Sequence, residues 1–263
     1  MSQTERQTQP VAGPSRLLDG KVAIITGASR GIGAAAARVF AQAGAAVVLG
    51  ARDEAALAAL ASEIEQAGGR ALALPTDAGD AAAVERLVQQ TVQTFGRLDA
   101  AFNNAGDNHA LAPLADIALE DFDRVLRVNL RGIFLAMKYE IRAMLEHGGA
   151  IVNMSSTAGL SGARGLASYA ASKHGVIGLT KVAALDYGER GIRVNALAPG
   201  PIVTTRLAQA PESSRQQIAN YMPLRRLGRP EEVAQAAVFL CSDLASFITG
   251  ATLAIDGGRL AGL

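Results

Sequence analysis

From Lys21 onward the chain alternates between two textures: short β-rich apolar runs of about six residues, and longer Ala-rich stretches whose apolar positions recur with helical spacing. The runs predict strands at Val22–Thr26, Ala46–Gly50, Ala71–Leu74, Leu98–Phe102, Ala150–Met154, Arg193–Leu197 and Thr252–Ile255. Most are apolar at successive positions rather than at every second one, as parallel strands are when helices cover both faces. The longer stretches predict helices near 31–43, 53–67, 80–95, 118–146, 168–188 and 230–241, so every crossover between strands is helical. That order makes an α/β, doubly wound, seven-stranded parallel sheet with helices on both faces the expected fold.

The 263 residues show no internal repeat and no second composition regime, so one domain over 18–263 is expected. Residues 1–17 are polar, carry Pro10 and Pro14, and are expected to be a flexible tail. This start has no apolar run of signal-peptide type, and no uncharged apolar run approaches the ~20 residues that span a bilayer, so a soluble, cytoplasmic protein is expected. A formal charge of +1 is too balanced to supply the basic field for nucleic acid or anionic membrane, and neither is expected as a partner. The single Cys241 excludes a disulfide framework. His109, His147 and His174 have no ligand-like spacing, so no metal site is expected. The long insertion at about 199–229, with Pro199, Pro201, Pro211 and Pro223, reads as a loop with short helix over the carboxyl edge of the sheet, and as a lid over about 203–229.

The first strand runs directly into Gly27-Ala28-Ser29-Arg30-Gly31-Ile32-Gly33 and then into a helix. Glycines allow positive φ and close backbone approach, and the free amides and positive dipole of a helix start attract a pyrophosphate. At the tip of the second strand, where an NAD enzyme needs a carboxylate for the ribose 2′-hydroxyl, the chain reads Gly50-Ala51-Arg52. Arg30 and Arg52 are two permanently charged forks suited to a 2′-phosphate, which favours NADP(H). The alternative is NAD(H), with Asp53 turned inward.

Tyr169 and Lys173 are four apart and stack on one helix face about 5–6 Å apart at Cβ. Using a phenolate near neutral pH costs about 4 kcal/mol, and a cation about 4 Å away at an effective permittivity near 20 supplies roughly that much. Ser155 and Ser156 lie just past the carboxyl end of a strand, where open α/β sheets bind ligands. Asp107-Asn108-His109 is expected near the substrate mouth.

With these motifs in order, the sequence resembles the short-chain dehydrogenases/reductases from Lys21 to Gly258. The matching residues are Thr26-Gly27-x-x-x-Gly31-x-Gly33, Asp77, Asn103-Asn104-Ala105-Gly106, Asn129, Ser156, Tyr169-x-x-x-Lys173, Pro199-Gly200-x-x-x-Thr204 and Asp256-Gly257-Gly258. The resemblance implies a Rossmann domain and a nicotinamide-dinucleotide oxidoreductase that interconverts a carbonyl and a secondary alcohol, with NADP(H) the form that Arg30 and Arg52 favour. It implies Tyr169 as general acid/base, Ser156 orienting and polarising the substrate oxygen, and Lys173 binding the nicotinamide ribose while lowering the tyrosine pKa. It also implies Asn129 anchoring a water in a proton relay. Ser156 is preferred to Ser155 because the family's serine stands thirteen before the tyrosine and three before a glycine, here Gly159.

For the cofactor, the resemblance implies Asp77 and Ala78 at the adenine, Asn104 at the adenine ribose, and Ile202 with Thr204 at the carboxamide and nearby phosphate. Gly27, Ser29, Arg30, Gly31, Ile32, Gly33, Arg52, Gly106, Tyr169, Lys173, Pro199 and Gly200 complete the expected cofactor set. Similar enzymes pair the helices near 118–146 and 168–188 across a dimer axis and many are tetramers, so a homotetramer or homodimer acting on a small-molecule substrate is implied. Two rivals remain at this stage. One is a 3-oxoacyl-carrier-protein reductase, weakened by Glu146-His147-Gly148-Gly149 where basic docking residues are expected. The other is a non-catalytic cofactor sensor, whose signature would be loss of Tyr169, Lys173 or Ser156.

Overall fold

The computed structural model describes residues 16–262, so the tail expected over 1–17 lies outside the described residues except for its last two positions. The first half of the sheet region is β1 (Val22–Thr26), α1 (Gly31–Gln42), β2 (Ala46–Ala51), α2 (Glu54–Gln66), β3 (Arg70–Pro75), α3 (Ala81–Phe95) and β4 (Ala100–Asn103). The chain continues through α4 (Leu119–Leu126), α5 (Gly132–Met144), β5 (Gly149–Met154), α6 (Ala167–Tyr187) and β6 (Ile192–Pro199). It ends with α7 (Thr205–Ala208), α8 (Glu212–Asn220), α9 (Pro230–Cys241) and β7 (Thr252–Ile255).

All pairings are parallel, in the order β3-β2-β1-β4-β5-β6-β7. This is the expected seven-stranded doubly wound sheet. Successive strand residues serve opposite faces: Ala23, Ile25, Val47 and Leu49 pack with α1, α2 and α9, whereas Ile24 and Val48 pack with α3, α5 and α6. Both faces of the central strands are therefore dry, which is why those strands read as continuous apolar runs rather than alternating ones, whereas the edge strands β3 and β7 are only partly buried. Each large side chain so buried contributes about 1.5–3 kcal/mol.

The helix expected over 118–146 is not continuous. A π-helical turn at Arg127–Arg131 separates α4 from α5, and the fully buried Asn129 sits in it. One extra residue in the turn rotates α5 relative to α4, a feature that tends to mark functional positions. α5 then approaches so closely that a Cβ on Gly132 would stand 2.8 Å from the Ala78 carbonyl oxygen. The insertion between β6 and α9 carries the short α7 and α8 and is tied back by a bridge between Ile202 and Gly228. The strand order reverses between β1 and β4, which leaves a crevice beyond their carboxyl ends.

Candidate active site

Gly27 turns the chain out of β1 with φ +68° and Gly31 starts α1 with φ +57°, both in the left-handed region that favours glycine. Thr26 Oγ1 accepts the backbone N–H of Asn104 at 3.0 Å and of Ala105 at 3.1 Å, and Asn104 Nδ2 donates to the Thr26 carbonyl at 3.1 Å. The tips of β1 and β4 are thus one joint. A Cβ on Gly33 would lie 2.1 Å from the Gly27 carbonyl oxygen, so α1 can enter only through a glycine. No acidic residue occupies the first turn of α1, whose positive end lies at the crevice.

The crevice has a volume of about 890 Å³. Of the expected cofactor residues, Gly27, Ser29, Arg30, Gly31, Ile32, Arg52, Asp77, Ala78, Asn104, Gly106 and Thr204 line it. Gly33, Pro199, Gly200, Ile202, Tyr169 and Lys173 are not on its wall. Gly33 backs the loop, Pro199 pairs with Ile255 in the sheet, Gly200 packs on Asp256, and Ile202 is buried against Gly228. Thr76, Val128 and Gln209 line the crevice without having been singled out from sequence. Val128 and Thr76 each precede a motif residue, which is a usable signal; Gln209 lies in the insertion and carries none.

At the far end Asp53 accepts the Ala56 N–H at 3.0 Å and so caps α2, while Arg52 beside it is exposed. Burial pushes the Asp77 carboxyl up, but the Gly79 amide, Arg127 and the charge of Arg52 together hold it below the usual carboxylate range.

At the near end, α6 brings Tyr169 and Lys173 together, with Lys173 Nζ 5.5 Å from the Tyr169 ring centroid. Lys173 is 2% exposed and donates to the Met154 carbonyl at 2.7 Å, and burial pulls its ammonium down to about 8. Burial raises the Tyr169 phenol above its ordinary value, opposed by the nearby Ser156 hydroxyl. That direction is opposite to the one expected for a phenol beside an ammonium. The physical reason is that desolvation disfavours the phenolate and outweighs the help of the Ser156 hydroxyl. Ser155 Oγ donates to the Lys173 carbonyl at 2.9 Å and is spent on α6. Ser156 Oγ accepts the Ala158 N–H at 3.1 Å and retains its own proton for a further partner.

Asn129 accepts the Asp107 N–H at 2.7 Å and donates to the Asp107 carbonyl at 2.9 Å and to Ser172 Oγ at 3.2 Å. It therefore ties α6 to the segment after Gly106, where Arg124 further pairs with Asp107. A Cβ on Gly106 would lie 3.5 Å from Asn129 Oδ1 and 3.9 Å from Lys173 Nζ, so the crevice wall abuts the catalytic candidates at this glycine. Of the Asp107-Asn108-His109 segment, Asp107 lines the crevice, whereas Asn108 and His109 do not.

The sequence profile of the family described as Enoyl-(Acyl carrier protein) reductase matches residues 27–259. A cyclohexanol dehydrogenase from Acinetobacter sp. (strain SE19) is 43% identical over 244 residues, covering 92% of this chain and 96% of that protein. A 3-oxoacyl-[acyl-carrier-protein] reductase from Thermotoga maritima is 43% identical over 248 residues, covering 92% and 98%. Among solved structures, a levodione reductase superposes with a TM-score of 0.90 at 35% identity, covering 94% of this chain and 100% of that one.

The buried lysine has a measurable consequence. Its folded value of about 8 lies below its ordinary 10.5, so between these values the folded chain holds fewer protons than the unfolded one and stability rises with pH. Thermal unfolding of the wild-type chain is expected to gain stability from about pH 8 to about pH 10, and Lys173→Met to lose that rise; equal slopes would place the lysine in a wetter site.

Proposed function

The chain belongs to the short-chain dehydrogenase/reductase family, oxidoreductases that act on alcohols and carbonyls with NAD(P)(H), and on that premise we propose that it interconverts a small secondary alcohol and its carbonyl with NADP(H), Tyr169 acting as general acid and base. The observation that carries this reading is that Lys173 abuts the crevice wall at Gly106, with Tyr169 beside Lys173 and Ser156 beside Tyr169. The crevice suits a dinucleotide: positive φ glycines, a helix start without acids, and cationic side chains at one end. Arg30 and Arg52 would hold a 2′-phosphate, Asp77 and Ala78 the adenine, and Asn104 the adenine ribose, with Gly106 and Thr204 toward the nicotinamide. Gly33, Pro199, Gly200 and Ile202 would act from behind the wall. Asp53, engaged as the cap of α2, is less suited to the ribose than a free carboxylate, which supports NADP(H) over NAD(H).

When bound, the dinucleotide supplies or takes the hydride. The protein's part is proton transfer and orientation. Ser156 Oγ donates a hydrogen bond to the substrate oxygen and Tyr169 donates its phenolic proton to the same oxygen in the reductive direction. A phenol held neutral by burial is in the right state for that step. In the oxidative direction the phenol must give up its proton first, and the Lys173 ammonium, which would hold the nicotinamide ribose, would lower that cost. Asn129 anchors the water through which the proton is exchanged with solvent.

The substrate class follows the cyclohexanol dehydrogenase relative: a free cyclic secondary alcohol or ketone. Carrier-protein docking is disfavoured because Arg190 donates to the Leu145 carbonyl and Arg193 to the Leu240 and Ser242 carbonyls, so both are engaged by the protein's own backbone. The segment over 203–229 serves as a lid, with Gln209 reaching the crevice. A groove between α4–α5 and α6, lined by Leu126, Leu130, Phe134, Leu179 and Val182 with Gly175 and Gly178 allowing close approach, is covered by a second copy of this chain. Phe134 and Val182 are about half exposed in one copy, which favours such a partner.

Tyr169→Phe should reduce turnover of a cyclohexanol-type substrate by about 10³-fold or more while NADPH affinity stays near the wild-type value; full activity would remove the acid/base role. Arg52→Asp should shift the kcat/KM preference toward NADH, and an unchanged preference would assign selectivity to other groups. In light scattering, Val182→Asp should lower the oligomeric state; an unchanged mass would place the subunit contact elsewhere.

A further inference from the structure

Glu140 stands in α5 among apolar neighbours and is 1% exposed. Among the described residues it has no lysine or arginine partner, and its one recorded hydrogen bond comes from Asn103 Nδ2 at 2.9 Å. An ionised carboxylate without a cation is expensive in such a place, whereas a neutral acid hydrogen-bonded to an amide is not.

Asn103 is the last residue of β4 and is held at two points. Its Nδ2 also donates to Asn153 Oδ1 at 3.1 Å, and Asn153 Nδ2 in turn donates to Thr180 Oγ1 of α6 at 3.0 Å. Its Oδ1, however, is buried with no hydrogen-bond partner among the described residues. Buried acceptors are seldom left bare, and the neutral form of Glu140 carries a proton that this oxygen lacks. The neutral acid, already in contact with this amide through its Nδ2, is the donor that this acceptor would pair with. The next residue, Asn104, is the joint to Thr26 and the phosphate loop.

We propose that Glu140 is a positioning residue for the crevice: as a neutral acid it latches Asn103 and thereby fixes the Asn104 joint that shapes the phosphate loop. The inference rests on the reading that a nicotinamide dinucleotide occupies this crevice. Burial raises the Glu140 carboxyl to about 7, with the Asn103 amide opposing the rise. This lies above the ordinary 4.5, so the stabilisation that the latch provides is complete below about 4.5 and is lost as pH rises through about 7.

Among the described residues, the groups around it supply no compensating charge. Met137 lies on its own helix, Asn153 on β5 and Thr180 on α6, all neutral, and the buried Cys241 thiol of α9, pushed up to about 12, remains protonated. Lys173 titrates near 8 and also shapes the wild-type pH dependence, so the difference between wild type and variant is the informative quantity.

The test compares wild type with Glu140→Gln, which keeps a donor and an acceptor but has no proton to lose, from about pH 5.5 to about pH 8.5. NADPH affinity is read by fluorescence and the thermal midpoint is read without dinucleotide. Across this range the wild-type Kd is expected to weaken by about fivefold or more relative to that of Glu140→Gln, and its thermal midpoint to fall more steeply. Glu140→Leu, which removes the acid and its hydrogen bond together, should bind NADPH more weakly than Glu140→Gln at every pH. Parallel pH dependences in wild type and Glu140→Gln would overturn the latch. If wild type binds neither NADPH nor NADH, the dinucleotide reading fails instead, and the thermal midpoints then decide the latch alone.

Discussion

A lysine ammonium 2% exposed, with a single carbonyl as its hydrogen-bond partner, is the constraint around which this site is arranged. Its displacement from 10.5 to about 8 corresponds to about 3 kcal/mol that the fold forgoes at neutral pH. A fold stable by only about 5–15 kcal/mol does not keep such a group without use for it. The helix register that buries Lys173 also brings Tyr169 to it, and the Ser155 hydroxyl clamps the lysine backbone so that Ser156 is left for another partner. Gly159 is part of the same arrangement, because a Cβ there would stand 2.4 Å from Ser155 Oγ and 2.7 Å from the Lys173 carbonyl oxygen.

The other half of the site is built from backbone and amides. Thr26, Asn104 and Gly33 weld the tips of β1 and β4 and the start of α1 into one surface. Asn129 does the corresponding work on the other side, joining the segment after Gly106 to α6. The π-helical turn that carries Asn129 departs from the ordinary helix repeat, and its buried side chain makes three hydrogen bonds across the site.

Much of this was legible in the sequence because the central strands are dry on both faces and even the partly exposed edge strand β7 carries a short apolar run. Val22–Thr26 and Thr252–Ile255 read from their apolar runs with the bounds that the structure has, and the helical crossovers then fixed the parallel order. Gly27 and Gly31 were legible because positive φ restricts the choice of residue. The break in the helix over 118–146 was not, since a single extra residue hardly disturbs a periodic pattern of that length. Glu140 was hidden for a related reason: flanked by Lys138 and Arg142, it reads as one more charge on a solvated face, yet the helix turns it into the core. Gln209 joins the crevice from a segment whose path depends on long-range contacts, which no local pattern encodes. The direction of the Tyr169 shift also needed the structure, because proximity to an ammonium is visible as spacing and desolvation is not.

The central claim is that the buried ammonium and the phenol above it work on a dinucleotide lying in the crevice. The most direct measurement is a crystal structure of the protein with oxidised NADP. The account predicts Lys173 Nζ within hydrogen-bond distance of the nicotinamide ribose hydroxyls and the Tyr169 hydroxyl beside the reactive carbon of the nicotinamide ring. A complex in which Lys173 keeps the Met154 carbonyl as its only partner, with the nicotinamide ring turned away from Tyr169, would contradict it.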